Sequence, residues 1–587
     1  MSKAIIYQML PRLWGEGRMS SVDDATLLYL KGLGVSHLWC TGIIRHSTGQ
    51  PFVKGDAGSP YAISDYYDVN PYLASEPSQR MSEFDALLSR VHSFGLKFII
   101  DFVPNHVGCD YSDSYGGIPL CGWHDYDWSD TVKIDYYAPG TWDAMYRIVR
   151  YWAGRGVDGF RCDMVELVPP DFLKWLIARI KEEFPSVVFI AEVYQKEKYR
   201  MYIDDVRFDY LYDKSGLYDV LRAIAASSGS ACSAAAGAGA VGDCADRLGL
   251  PGQGTARAIT WNWQFLQDLQ PHMLNFLENH DEQRLASPWF AGRADCYALL
   301  CASLMLNTAP FMLYFGQETG VDASEGHEGR TSIFNFAKPA SLQRLYAFVH
   351  NPACSIAAFT APSSPDSTVP TQASFSASST PASVSGGPTA PVSPDSMVPT
   401  ASSLGASSTP ASVSGDPTAP SSPDSTVPTQ ASFSTSSTPA SVSGGPTAPA
   451  SPDSTVPTQA SFSTSSTPAS ADHGAGESIS AGELSVLSRY RAALALAGSA
   501  AVCEGLTFDL CYCQSAADGF DADRHFAFLR HSGSETILFC CNFAPREARL
   551  TLRIPQHAVD YLGLGAQPCP GGIALTVAPF GFTAIPF

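Results

Sequence analysis

Between Ala4 and about Phe348 the chain alternates short β-rich runs with amphipathic stretches eight times, a pattern that few folds accommodate. The β-rich runs fall at residues 5–9, 36–39, 98–102, 159–162, 187–191, 210–212, 274–278 and 311–315. Helical periodicity marks the stretches between them. Ser82 followed by Asp85 resembles an N-terminal cap, and Phe84, Leu87, Leu88 and Val91 form an apolar stripe that stops at Gly95. Residues 141–154, 171–181, 216–224 and 294–306 read the same way. Eight strand–helix units predict an α/β fold, a (β/α)8 TIM-type barrel, whose working residues sit at the C-terminal strand ends and in the loops that follow.

Two segments interrupt the alternation. Residues 225–257 are rich in Ala, Gly and Ser and predict an irregular loop between the sixth and seventh units. In residues 361–470 a Ser-Pro-Asp triplet recurs at Pro365, Pro394, Pro423 and Pro452, a 29-residue repeat. Each copy is mostly Ser, Thr, Pro and Ala with at most one Phe, so no copy can bury a core, and disorder is the expectation. No Lys or Arg occurs between Arg344 and Arg489, and a last barrel helix is expected at 483–497, which makes the repeats an insertion after the eighth strand. Beyond it, β-type runs at 525–530, 535–542, 548–554 and 573–577 predict a C-terminal antiparallel β-sandwich. The expected organisation is a first part of the barrel over 1–360, repeats over 361–470, the end of the barrel over 471–504 and the β domain over 505–587.

Charge and cysteine content narrow the partners. With 57 acidic against 37 basic residues the formal net charge is −20, which argues against nucleic acid and fits a neutral ligand. The N-terminal apolar run of three residues is too short for a signal-peptide core, and no uninterrupted apolar stretch reaches the roughly 18 residues of a membrane span. Fifteen cysteines, an odd number without metal-like pairing, suit reduced thiols in a cytoplasm. Cys511-x-Cys513 and Cys540-Cys541 read as small buried hydrophobes. A cytoplasmic monomer without a membrane partner is expected.

The predicted strand ends carry the chemistry. They are Asp101-Phe-Val-Pro-Asn105-His106, Gly159-Phe-Arg161-Cys-Asp163, Ala191-Glu192 and Glu278-Asn-His280-Asp281. Arg161 and Asp163, two apart on one strand, face the same space. A guanidinium beside a carboxylate favours its ionised form, as a nucleophile requires. Singly each segment is a weak signal. In this order, at successive strand ends of one barrel, they converge three carboxylates and two histidines on one face.

These four segments together resemble the alpha-amylase family, glycoside hydrolase family thirteen, over about residues 4–350 and 479–587. The resemblance implies that Asp163 is the nucleophile, Glu192 the general acid/base and Asp281 a third carboxylate that binds sugar hydroxyls and stabilises the transition state. It implies that His106, Arg161 and His280 hold the sugar at the cleavage subsite, and that Tyr61 of Ser-Pro-Tyr-Ala-Ile-Ser-Asp-Tyr-Tyr stacks under it. Gly316-Gln317-Glu318 is a softer match. Cleavage through an oxocarbenium-like state needs one ionised and one protonated carboxyl at the same pH, and the negative charges of Asp163 and Asp281 should raise Glu192.

Departures from the family pattern bear on specificity and metal. The loop over 107–133 is short where many alpha-amylases carry a calcium-binding domain. Asn105 matches a position that ligates calcium in many relatives, and Asp110 or Asp113 are further oxygen donors, yet calcium needs about six or more oxygens and they cannot be assembled from the sequence; the alternative is that Asn105 braces the loop by hydrogen bonds. No cofactor is required by this reading. Met164-Val165-Glu166-Leu167 stands where many alpha-amylases have a Lys-His pair, and Trp123 and Trp128 are candidates for stacking on sugar or for packing. The expected activity is retaining hydrolysis of α-linked glucans or maltooligosaccharides. A transglycosylase sharing the nucleophile and a noncatalytic sugar-binding scaffold are the alternatives, the scaffold having no need of three mutually repelling carboxylates.

Overall fold

Apolar side chains on both faces force short strands of this kind into a sheet covered on both sides, and closure removes its edges. The computed structural model describes residues 3–113, 115–228, 254–351, 478–533, 535–565 and 568–587. Eight parallel strands close a barrel: β1 (Ile5–Met9), β2 (His37–Cys40), β3 (Lys97–Phe102), β4 (Gly159–Cys162), β5 (Val188–Ala191), β6 (Tyr210–Tyr212), β7 (Met273–Phe276) and β8 (Phe311–Tyr314). Each pairs with its sequence neighbour, and β8 returns to β1 with Phe311 opposite Ile5. Every residue of β1, β4, β7 and β8 is buried. All eight predicted strands are present, with ends shifted by two residues at most.

The outer helices are α1 (Asp24–Gly32), α2 (Arg80–Ser93), α3 (Thr141–Arg155), α4 (Pro170–Glu183), α5 (Asp219–Ser227), α6 (Arg257–Leu266), α7 (Tyr297–Met305), α8 (Ala340–Val349) and α9 (Ala481–Ala497). The stripe of Phe84, Leu87, Leu88 and Val91 is the buried face of α2. Ser82, however, lies inside this helix and does not cap it. Glu83 instead accepts from the Ser75 and Glu76 N–H groups, both at 2.8 Å, and so braces the turn that enters α2. Between β5 and β6 the described chain has only a 3-10 turn, Lys196–Lys198, and a π-type turn, Met201–Asp205.

The expected helix 483–497 begins two residues early because Ser480 forms a reciprocal capping box with Glu483: Ser480 Oγ accepts from the Glu483 N–H at 3.2 Å and the carboxylate accepts from the Ser480 N–H at 2.7 Å. This helix belongs to the barrel. Arg344 on α8 reaches Glu483 at 3.2 Å, and Gln317 after β8 donates to Tyr490 at 3.2 Å. The expected loop over 225–257 begins within α5, and residues 229–253 of it lie outside the described residues, as do the repeats of 361–470.

The C-terminal part contains a four-stranded antiparallel sheet, ordered β9 (Leu506–Asp509), β10 (His525–Ser532), β11 (Glu535–Asn542) and β14 (Phe582–Pro586). A separate pair joins β12 (Ala548–Leu552) and β13 (Ile573–Val577). Period-two alternation gives β10 and β11 two apolar faces. Phe526, Phe528, Ile537, Phe539 and Cys541 join the barrel core, whereas Ala527, Leu529, Leu538 and Cys540 join a second core beneath β12 and β13. The buried Arg530 ties the two parts, donating to the carbonyls of Leu306, Ala501 and Val502 at 3.1, 3.1 and 2.6 Å. Cys540 and Cys541 are buried as expected, but Cys511 and Cys513 are half-buried, and all described cysteines are free thiols.

Because α8 and α9 are joined to each other and to the end of β8 by their own side chains, a chain lacking 361–470 but keeping 352–360 and 471–477 as the join is expected to unfold in one cooperative transition. Its Tm should lie within a few degrees of the full chain, since each doubling of a flexible loop costs only about 0.6 kcal/mol. Loss of the transition in calorimetry would make the repeats structural.

Candidate active site

Strand register puts the acidic strand ends side by side. Arg161 stands opposite Asp101 across β3–β4 and opposite Ile190 across β4–β5, and Cys162 stands opposite Ala191. The next pair is therefore Asp163 and Glu192, whose amides continue the ladder to Phe102 and Cys162. Parallel neighbours of this kind lie about 4.8 Å apart.

One guanidinium occupies the space between them. Arg161, fully buried, places Nη1 at 2.5 Å from Asp163 Oδ1 and 3.6 Å from Asp101 Oδ1, and Nη2 at 2.8 Å from Glu192 Oε1. The rings of Trp39, Tyr61 and Tyr212 surround it at 5.3–5.8 Å. From the sequence, Arg161 is expected to favour the charged form of Asp163. It contacts both carboxylates, so it cannot by itself set their protonation apart.

Burial is the largest influence on each carboxyl. It pushes Asp163 above its ordinary value against the pull of Arg161, and raises Glu192 likewise, with the Asp163 charge adding to the rise. Asp101, which accepts from Trp39 Nε1 at 3.1 Å, is pushed up to about 7, burial again outweighing Arg161. Asp281, whose side chain is 39% exposed, is raised by its partial burial and by the charge of Glu192.

The β7 loop is fixed from beneath. Glu278 accepts from Arg284 Nη1 at 2.9 Å and from the Leu285 N–H at 2.8 Å, and Asn279 Oδ1 accepts from the amides of Asp281 and Glu282. His280 is held as a neutral ring, since burial and the nearby Arg161 keep its pKa well below the usual value. Its Nδ1 meets Gln8 Nε2 at 2.8 Å, while Nε2 meets Asp281 Oδ2 at 3.0 Å and the hydroxyl of Tyr61. Tyr61 stacks on the same ring, with centroids 5.3 Å apart. His106 lies at the margin of this group, its ring 5.3 Å from Trp128 and its pKa lowered to about 4 by burial. Asp163, Glu192, Asp281, Tyr61, Arg161 and His280 are thus brought together around one guanidinium, with His106 beside them. Trp39, Tyr212, Gln8 and Tyr194 were missed by sequence reasoning. Trp39 and Tyr212 each end a predicted strand run, which was the available signal.

Residues 15–119 match the family model described as "Alpha amylase, catalytic domain". The match lies in the first part of the barrel and makes that stretch similar to the alpha-amylase family. The chain is 28% identical over 223 residues to an alpha-1,4-glucan:maltose-1-phosphate maltosyltransferase of Cereibacter sphaeroides, covering 33% of this chain and 32% of that protein. It is 25% identical over 208 residues to Maltase A1 of Drosophila melanogaster, covering 27% and 34%. Alpha-amylase 3 of Dictyoglomus thermophilum is 22% identical over 367 residues, covering 55% and 66%. The chain thus spans about a third of the length of the first curated relatives it matches. In fold it is similar to the maltogenic alpha-amylase AmyB of Thermotoga neapolitana, with a TM-score of 0.54 at 17% identity over 100% of this chain and 96% of that one.

In this barrel Asn105, read from the sequence as a calcium ligand or as a hydrogen-bonding brace for its loop, has the second arrangement. Asn105 Oδ1 accepts from Lys133 Nζ at 2.8 Å, and the same ammonium lies 2.7 Å from Asp125 Oδ2 and 5.3 Å from the Trp123 ring centroid. Asn105 Nδ2 donates to Asp125 at 2.8 Å and closes the set. Burial raises the Asp125 carboxyl, but Lys133 and Asn105 outweigh it and leave it below its ordinary value. Asp110 and Asp113 do not converge here: Asp110 accepts from Ser47, and Asp113 from Tyr111 and the amides of Tyr115 and Gly117. An ammonium already occupies Asn105 Oδ1 and Asp125 Oδ2, so these residues do not fit a hard cation that wants about six oxygens. Through Lys133 the strand pair 106–108 and 131–133 anchors the loop beside His106.

EDTA is therefore expected to leave Tm and activity unchanged. Lys133→Met should destabilise by about 1–3 kcal/mol, the cost of leaving a buried acceptor unpaired. A chelator-dependent fall in the Tm of the unaltered chain, measured by differential scanning fluorimetry, would contradict this arrangement.

Proposed function

We propose that this chain is a retaining glycosidase of α-linked glucans or maltooligosaccharides, with Asp163 as nucleophile and Glu192 as general acid/base. The observation that carries the reading is the single guanidinium fork of Arg161 in contact with both carboxylates. Two carboxyls held on one guanidinium support the shorter separation, about 5–5.5 Å, that attack by a carboxylate uses, over the range of about 6.5–9.5 Å that admits a water between them. Asp163 attacks the anomeric carbon while Glu192, raised by burial and by the Asp163 charge, protonates the departing oxygen. Water, deprotonated by Glu192, then resolves the glycosyl-enzyme. Asp281, half-exposed and oriented by His280, accepts hydrogen bonds from sugar hydroxyls, and Tyr61 with its partner His280 forms the ring platform. His106 and Arg161 complete the sugar-binding groups.

The similarity to a maltosyltransferase supports a second reading, in which a sugar hydroxyl resolves the same intermediate. Size analysis of products from maltotetraose separates the two, since transfer yields oligosaccharides longer than the substrate.

Asp163→Asn, nearly isosteric but without charge, is expected to lose several orders of magnitude in turnover at an unchanged Tm. Activity within about tenfold of the unaltered protein would sink the assignment. The first sugar released should carry the α configuration of its substrate, because two displacements restore it. Proton NMR in the first minutes of reaction, before mutarotation, reads this, and an initial β-anomer would overturn the nucleophile assignment.

A further inference from the structure

The loops that follow β4 and β5 are cross-linked by groups that the reading above does not use. Met164 has a left-handed backbone, φ 44° and ψ 43°, and donates its N–H to Glu192 Oε2 at 2.9 Å. Two residues on, the Glu166 carboxylate accepts from two successive amides of the opposite loop, Tyr194 at 2.9 Å and Gln195 at 3.1 Å. The Tyr194 hydroxyl then turns back and donates to Glu192 Oε1 at 2.8 Å. The result is a closed ring of contacts: the loop after Asp163 grips the main chain beside Tyr194, and Tyr194 grips Glu192.

Resting on the acid/base reading of Glu192, we infer that Tyr194 is a positioning residue for Glu192 and that Glu166 aims it. The chemistry asks for such a group. In a double displacement Glu192 must first give a proton and then take one from water, so it must cycle between forms at one pH. Several surrounding groups face it: Arg161 on β4 and Asp163 just after it, Asp281 after β7, Tyr212 on β6 and His106 after β3. Burial and the carboxylates at 163 and 281 favour the protonated form. Arg161 opposes them but is shared with Asp163 and Asp101. The Met164 amide and the Tyr194 hydroxyl are the remaining donors to Glu192, and a donor to a carboxylate favours its charged form. Tyr194 also fixes the direction of Oε1. Its ring is 36% exposed, and the hydroxyl contact and the Glu166-held backbone both orient its side chain.

Glu166 is the residue whose chemistry makes this cross-link. A carboxylate accepts two amides at once, which a lysine, with donors only, cannot do. Substituting it releases residues 194–195 without touching the barrel strands.

The test is the pH profile of kcat/KM on maltotetraose for the unaltered chain, Tyr194→Phe, Glu166→Gln and Glu192→Gln, with Tm recorded for each. Loss of the hydroxyl removes a group that favours ionised Glu192, so its pKa rises and the alkaline limb, where the acid loses its proton, moves to higher pH. For Tyr194→Phe a shift of about half to one pH unit and a fall of about three- to thirtyfold in kcat are expected. Glu166→Gln, which keeps the side-chain length but sets an amide NH2 against one of the two N–H groups, should shift the limb in the same direction by less. A Tyr194→Phe limb within about 0.2 units of the unaltered chain, with Glu192→Gln inactive, would overturn the inference and leave the acid/base reading standing. Substantial activity in Glu192→Gln would overturn both.

Discussion

The fully buried guanidinium of Arg161 is the interaction on which the rest of the site depends. A buried charge without partners is prohibitively costly, and a buried cluster of carboxylates is no better. Each makes the other tolerable. Removing the guanidinium would leave Asp163, Glu192 and Asp101 to repel one another inside a low-dielectric cage of Trp39, Tyr61 and Tyr212. Removing the carboxylates would strand the cation. The fold supplies this pairing through register alone: Arg161 stands one position before the end of β4, opposite Asp101, and Asp163 and Glu192 extend adjacent strands by one residue.

The same logic is repeated at lower cost around the rim. Glu278 is balanced by Arg284, Asp125 by Lys133, and Glu318 by the hydroxyls of Tyr7 and Tyr29 at 2.8 and 2.9 Å. None of these three carboxylates faces Asp163 directly, yet each fixes a segment that does or that stands beside it. Glu278 sits at the root of the loop bearing His280 and Asp281. Asp125 joins the loop next to His106 to Asn105. Glu318 locks the turn after β8 against β1 and α1, where Gly316, at φ 84°, leaves no room for a side chain because a Cβ would lie 2.6 Å from Val321 Cγ2.

Much of this was legible in the sequence because barrel strands and their polar ends are local features. A buried strand of four or five apolar residues announces itself, and the carboxylates that follow it need no long-range knowledge to be found. The misses are of another kind. Ser82 looked like a cap because its spacing to Asp85 is right, but helix α2 starts earlier, where Glu83 reaches back to two amides that spacing rules do not consider. Strands β9 and β14 escaped because each becomes a strand only by pairing with β10 or β11. Lys133 and Tyr194 were invisible for a similar reason: Lys133 is 28 residues from Asn105, and Tyr194 matters through Glu166 in a different loop. No periodicity encodes such meetings.

The protonation of the site follows from how few cations it contains. Asp101, Asp163, Glu192 and Asp281 share one guanidinium, and His106 and His280 are both held neutral by burial. Fully ionised, the four carboxyls would leave a strongly negative pocket in a chain already carrying a formal charge of −20. All four are instead shifted upward, so the pocket retains protons under conditions where free carboxyls would have lost them. A proton-retaining pocket is what general acid catalysis on a neutral sugar requires, and it needs no charge on the ligand to balance it. On the proposed roles, the asymmetry between donor and attacker must then come from groups that distinguish Glu192 from Asp163. The Met164 amide and the Tyr194 hydroxyl touch Glu192, and both belong to the cross-linked loops that follow β4 and β5.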